Sequence, residues 1–183
     1  MSLRGTETQA VATIVDGHLE AIDLIRVGDR VVLNAIGVGL TGDINRRAAR
    51  IKVVRGIAVY LVTALISLIR FRSPWIRLVT PDHDREGEMT ILAVHNGPTT
   101  GGGFALTPRA RPADGLLDVC LVPGIGPLGR IPRLVAAMRG TLGGMDGTLE
   151  LQAPWLELHF DTPLPAHLDG NQVELEPSLV RLQ

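Results

Sequence analysis

Apolar residues along this chain fall mainly into short β-prone runs separated by glycine, proline and acidic turn residues, with one long apolar stretch interrupting the pattern. Residues 9–15 and 19–27 flank Asp16-Gly17, a pair that tolerates the positive φ of a tight turn, and this predicts a first hairpin. Residues 30–36 predict a further strand, followed by the glycine-bearing GVGLTGD. Residues 75–80 and 88–94 give two more strands joined by the polar PDHDREG, and residues 117–122 repeat the pattern. In WLELHF, Leu156, Leu158 and Phe160 alternate with Trp155, Glu157 and His159, so one sheet face is apolar and the other at least partly wet.

The long apolar stretch is GIAVYLVTALISLI, residues 56–69. Ile57, Leu61, Leu65 and Leu68 recur at helical spacing, while Val62, Ile66 and Ile69 widen the stripe, which predicts a helix buried almost all round. The run is too short to span a bilayer, which takes roughly 20 apolar residues. Arg55, Arg70 and Arg72 bracket it, so the alternative is a helix lying on a membrane surface with its arginines snorkelling toward headgroups. Residues 127–138 predict a second helix that Arg139-Gly140 stops, with Pro132 imposing a late start or a kink. Together these runs describe a mainly β (α+β) fold with two helices: a polar leader over residues 1–8, then one domain over residues 9–183.

Composition narrows the function. The chain has 183 residues, 18 basic and 19 acidic side chains and a net charge of -1, so it offers no basic field to a polyphosphate backbone. Two Trp, one Tyr and three Phe leave little to stack on bases, and nucleic acid is excluded as a general partner. Lys52 is the single lysine and stands in ARIKVVRG, without the glycine loop of a P-loop lysine. The lone Cys120 cannot close an intrachain disulfide, and no Cys or His spacing suits a tetrahedral zinc site. With the polar start MSLRGTETQ, this makes a cytoplasmic location the expectation.

Three segments carry candidate chemistry. HNGPTTGGG follows the apolar run TILAV, so a strand delivers Asn96 and then Gly101, Gly102 and Gly103, whose amides could approach an anion; a wide connecting loop is the other reading. In TPRARPADGLLDV, Asp114 stands at the lip of a strand, where its carboxylate and nearby carbonyls could hold a hard cation such as magnesium, or where it simply caps a turn. Asp118 is either a second carboxylate beside the cation or an exposed strand residue. In PAHLDGNQVELEP, Leu168 and Val173 bracket Asp169-Gly170-Asn171, predicting a hairpin tip. Asp169 could orient a substrate hydroxyl there, whereas the Asn171 amide cannot serve as a general base. No Ser or Cys stands beside any of the five histidines in a nucleophile elbow, so acyl transfer has no support.

The order of these signals, from IDLIRV through LNAIGVG, the apolar helix, HNGPTTGGG and PRARPADGLLDV to LDGN, resembles the C-terminal domain of the diacylglycerol kinase catalytic family, which includes sphingosine kinases and bacterial lipid kinases. The most specific part is GGG followed by P-x-A-x-x-x-DG-x-LDV, and the resemblance runs from about Gln9 to Leu182. It implies a β-sandwich, like that of NAD kinases, packed against an N-terminal nucleotide-binding domain, with the active site between the two. The family's GGDGT segment, which receives ATP phosphates, does not occur in this sequence; MDGT at residues 145–148 lies elsewhere and lacks the double glycine directly ahead of its aspartate.

The resemblance also implies Mg2+ held by the main-chain carbonyls of Arg111 and Leu116 and the side chain of Asp114. The family's catalytic base is the glutamate of a DGE triplet, and Asn171 occupies its position, with Asp169 as the nearest carboxylate that could substitute. Losing a general base costs roughly 10²–10⁴-fold in rate. The implied function is the substrate-side half of a kinase moving the γ-phosphoryl of ATP to the hydroxyl of a diacylglycerol-like or sphingoid lipid, inactive as an isolated chain. The alternative is a non-catalytic lipid-binding or regulatory domain. Expected partners are the lipid, a peripheral membrane surface, the nucleotide-binding domain and, as a way to hide surface that this domain would cover, a second copy in a homodimer.

Overall fold

The computed structural model describes residues 11, 14–15, 17, 19–50, 57–101, 103–177 and 179–183. Three short strands open the fold, β1 (Ile25–Val27), β2 (Arg30–Val32) and β3 (Ala35–Gly39), followed by helices α1 (Leu40–Arg50) and α2 (Ile57–Arg70). Strands β4 (Trp75–Val79), β5 (Asp84–His95) and β6 (Leu117–Pro123) lead to helix α3 (Pro127–Arg139). The chain ends with β7 (Leu149–Ala153), β8 (Leu156–His159), β9 (Leu164–Leu168), β10 (Asn171–Leu175) and β11 (Leu179–Leu182).

All these strands join one antiparallel sheet in the order β10-β9-β3-β5-β4-β8-β11-β1-β2, with β6 branching from β5 and carrying β7. The long β5 makes the sheet curl: its first half pairs with β4, its second half with β3 and β6, and a register shift between Met89 and Ile91 bends it. The two halves thereby face each other like a sandwich. Ile36, Val38, Leu92, Val94 and Val119 from one half meet Ile76, Leu78, Leu156 and Leu158 from the other in a continuous buried core.

The alternate residues of the β3–β5–β6 half point the other way, and here the sheet is surfaced with small side chains. Ala93 and Cys120 pack under Ala136 and Ala137 of α3. Gly42 of α1 lies against the backbone of Pro165 in β9, a contact only a residue without Cβ allows, so helix and strand touch main chain to main chain. Asp43, buried on the same helix, accepts hydrogen bonds from Arg46 and Arg47 at 2.7 Å each.

The mainly β fold agrees with the sequence reading, and several boundaries do not. Besides helical residues at 11, 14 and 15, the described residues hold three α-helices rather than two: α1 begins in LTGD, where a glycine and two polar residues mask a short Leu40 and Ile44 stripe. Of the hairpin expected over residues 9–27, the described Val11, Ile14 and Val15 are helical, residues 19–24 form no strand and the first described strand starts at Ile25, while residues 9–10, 12–13, 16 and 18 lie outside the described residues. The observed first hairpin pairs β1 with β2 around Gly28-Asp29, where Gly28 has φ 56°. The strand read over residues 30–36 divides into β2 and β3. Helix α2 is not buried all round: Thr63 and Ser67 face inward and Leu65 and Ile69 face solvent. Pro132 neither delays nor ends α3, which begins at Pro127 and runs through it. The leader expected at residues 1–8 lies outside the described residues.

Candidate functional site

The hairpin tip expected at the DGN segment is formed and tightly constrained. Asp169 and Gly170 take φ 49° and 82°, the two left-handed positions of a two-residue turn, and Asn171 pairs with Leu168 across it. Aspartate tolerates this conformation better than most side chains. Its carboxylate accepts three consecutive main-chain N–H groups from the segment entering β3: Leu33 at 2.6 Å, Asn34 at 2.9 Å and Ala35 at 2.8 Å. The Asp169 N–H in turn donates to the Ala35 carbonyl at 2.8 Å. Asp169 is therefore a positioning group that sews the β9–β10 turn to the start of β3, and both of its oxygens are engaged. Exposed Asn171 follows immediately, at the start of β10.

The glycine segment gathers at the same end of the sheet. Asn96 is buried, and its amide donates to the carbonyls of Asp23 at 2.7 Å and Leu33 at 3.0 Å. Asn34 donates to the Thr99 carbonyl at 3.1 Å. Thr100 and Phe104 close a narrow loop by exchanging backbone hydrogen bonds of 2.9 Å, with exposed Gly101 and Gly103 at φ 35° and 93°. Gly102 lies outside the described residues. A run of successive amides aimed at one anion is found at residues 33–35, where Asp169 fills it.

Beneath this layer lie two buried imidazoles that sequence reasoning did not single out. His95 Nδ1 is 2.9 Å from the Thr107 hydroxyl, which donates to the Gly97 carbonyl at 3.2 Å, so Nδ1 carries the proton and Nε2 is a bare acceptor. His95 Nε2 and His167 Nδ1 are both buried without a hydrogen-bond partner. Burial pushes His95 down to about 3, nearby His167 pushes the same way, and Asp169 opposes. Burial likewise lowers His167, again against Asp169. His167 lies over Gly37, where any Cβ would strike its ring. The only signal for the pair was their place in apolar strands.

The second predicted site forms its own open cleft of about 470 Å³, lined among others by Thr107, Arg109, Asp114, Asp118 and Gln152. The Gln152 amide donates to Asp118 at 3.1 Å and more loosely to Asp114 at 3.4 Å. Asp114 also accepts the Leu116 N–H at 3.1 Å, and Asp23 accepts the Gly115 N–H at 2.7 Å. Burial raises Asp118 above the usual carboxylate range against the Gln152 hydrogen bond, and its second oxygen is buried without a partner. Arg109, at the rim, pairs with Glu150 at 3.0 Å. Among the described residues no three His, Cys, Asp or Glu side chains gather as a ready metal site. The donors present, one turn carboxylate, adjacent carbonyls and the unpartnered oxygen of Asp118, are all hard oxygens, which suits magnesium chemistry.

Residues 34–183 match the family described as YegS C-terminal NAD kinase beta sandwich-like domain. A protein of Pseudomonas aeruginosa named Probable lipid kinase YegS-like is 33% identical over 174 residues, covering 92% of this chain and 55% of that protein. A namesake in Xanthomonas campestris is 37% identical over 174 residues, covering 88% of this chain and 54% of its own length. A diacylglycerol kinase structure from Bacillus anthracis superposes with a TM-score of 0.64 at 14% identity, over 97% of this chain and 55% of the other. The chain therefore spans about half the length of the relatives it matches.

Proposed function

The chain belongs to the YegS C-terminal domain family, and from that membership we propose that it is the acceptor-side half of an ATP-dependent lipid kinase, shaping the site where a diacylglycerol-like or sphingoid hydroxyl meets the γ-phosphoryl group. The observation that carries this reading is the Asp169 clamp, which fixes the DGN turn and the Asn34–Asn96 loop at one polar end of the sheet. A phosphate cradle would come from an N-terminal nucleotide-binding domain like the part of the relatives that this chain does not cover.

Asn171 stands where the acceptor hydroxyl must lose its proton. Its amide can hydrogen-bond that hydroxyl and orient it, but cannot take the proton near neutral pH. Asp169 does not fill the role either, because its oxygens already hold three amides. The natural chain thus supports phosphoryl transfer weakly. Magnesium would be held by the Asp114 carboxylate with the carbonyls of Arg111 and Leu116, Asp118 lying nearby, and when bound it would neutralise charge and stiffen the loop between β5 and β6. The lipid acceptor places the work of the protein at a membrane surface, and the use of ATP places it on the cytoplasmic side.

A fusion of this chain to the uncovered part of the Pseudomonas aeruginosa relative tests the reading. Labelled ATP and diacylglycerol-containing vesicles should give slow transfer, and Asn171→Glu should raise it by roughly 10²-fold or more. Absence of transfer from both forms would overturn the kinase reading. Lipid retention without transfer would favour the second reading, a lipid-binding or regulatory domain, which the Asn171 amide suggests.

A further inference from the structure

Helices α2 and α3 lie side by side and turn an unusual face outward. On α3, Leu128, Ile131, Val135 and Met138 recur at helical spacing on one stripe, and all are exposed, Leu128 to 85% and Met138 to 63%. On α2, Leu65 and Ile69 are 58% and 61% exposed, while polar Thr63 and Ser67 are fully buried. This reverses the arrangement expected of a helix facing water. The helices are locked together beneath the apolar face: the Arg130 guanidinium donates to the carbonyl of Leu68 at 2.8 Å and of Ile125 at 2.9 Å and sits over the Phe71 ring.

Charge is distributed as unevenly. No Asp or Glu occurs between Asp43 and Asp82 or between Asp118 and Asp146, the two stretches that contain α2 and α3, although the chain as a whole is slightly acidic. Arg70, Arg72 and Arg139 are exposed at the helix ends. An apolar stripe on two helices that carry no acid of their own, with exposed arginines at their ends, is complementary to an anionic lipid surface, whose acyl layer takes the leucines and whose headgroups take the guanidinium groups. A second copy of this chain docked helix to helix fits poorly, since it would bring the same arginines together with no acid on either helix to pair them.

Position supports the same occupant. Phe71, which follows α2, approaches Gly39 at one end of β3, and Ile125, just before α3, donates to Thr90 beside it. Asp169 binds Ala35 at the other end of β3, roughly 13 Å away at strand spacing. A nucleotide-carrying partner working at the Asp169 end leaves Leu65, Ile69, Leu128 and Ile131 open.

We propose that the outer faces of α2 and α3 form a docking surface for anionic bilayers, with Leu128 and Ile131 entering the acyl boundary and Arg70, Arg72 and Arg139 contacting headgroups. This deepens the lipid-acceptor reading, and its test involves no phosphoryl transfer, so the two can fail separately. The 183-residue chain is sedimented with vesicles of phosphatidylcholine alone or mixed with phosphatidylglycerol, at low and high salt. Binding should appear with phosphatidylglycerol, weaken with salt, and fall by roughly tenfold or more in Leu128→Glu/Ile131→Glu. Arg70→Glu/Arg139→Glu should abolish the preference for anionic vesicles, and Val31→Glu, an exposed site on β2, should change nothing. No binding to anionic vesicles, or equal binding after the Leu128 and Ile131 substitutions, would overturn the proposal. So would light scattering that shows a dimer dissolved by those substitutions without any vesicle binding.

Discussion

The two ends of β3 are built on opposite principles. At Ala35 the chain is tied by polar groups drawn from distant sequence: Asp169 reaches back to residues 33–35, and Asn96 to Asp23 and Leu33. At Gly39 the neighbouring helices tuck small and polar residues inward and spread leucine, isoleucine and methionine over the surface. The first region is specified by hydrogen bonds whose geometry tolerates little change. The second is specified by shape beneath and by chemistry above, so its outer residues are free to serve a partner. The proposed reaction centre and the proposed membrane face would call for these different constructions.

Acid should separate the two regions most strongly. His95 and His167 lie under the Asp169 turn with folded-state values below the ordinary histidine value, because burial disfavours their charged forms. The unfolded chain therefore binds protons first, and stability falls as pH drops below about 6.5, by about 1.4 kcal/mol per unit for each histidine kept neutral. For His95 the loss continues toward its folded value of about 3, or about 3 kcal/mol over the first two units. Urea midpoints at pH 7 and pH 4.5 measure it, and a flat profile would contradict the buried, neutral pair. Asp43, beside α2, acts lower: although burial alone would raise it, hydrogen bonds from Arg47 and Arg46 hold it below the usual range. Its contribution is complete above the ordinary carboxylate value and is lost only as pH falls further.

The next effect is that of Asp169→Ala, which removes the acceptor of three amides and places alanine at φ 49°. About 2–3 kcal/mol of stability should be lost, measured by urea denaturation, with Asp169→Asn recovering part of it. Smallest is Leu128→Glu, which should shift stability by no more than about 0.5 kcal/mol because the side chain is solvated already. A large loss there would mean that the stripe packs against something in the folded chain, and the contrast between the two ends would fail.

Much of the strand framework was legible in the sequence, because β4, β6 and β8 alternate or run apolar with clear turn residues around them. The DGN turn was legible for the same reason. Helix α1 was not, since its packing depends on Gly42 meeting the Pro165 backbone, a contact across more than a hundred residues that local pattern does not encode. The environment of α2 was misread because its apolar residues were assigned to the core, whereas Thr63 and Ser67 occupy the buried side. At the candidate site, the acidic positions were visible, but the use of Asp169 as a clamp, the roles of Asn34 and Gln152, and the paired histidines all arise from residues far apart in sequence.

Hydrogen exchange of the backbone amides, recorded with and without phosphatidylglycerol-containing vesicles, compares both ends of β3 in one measurement. Division of labour between them predicts that vesicles slow exchange in α2 and α3 and leave residues 33–36 and 167–172 unchanged. Protection centred on the Asp169 turn, with the two helices unaffected, would contradict it.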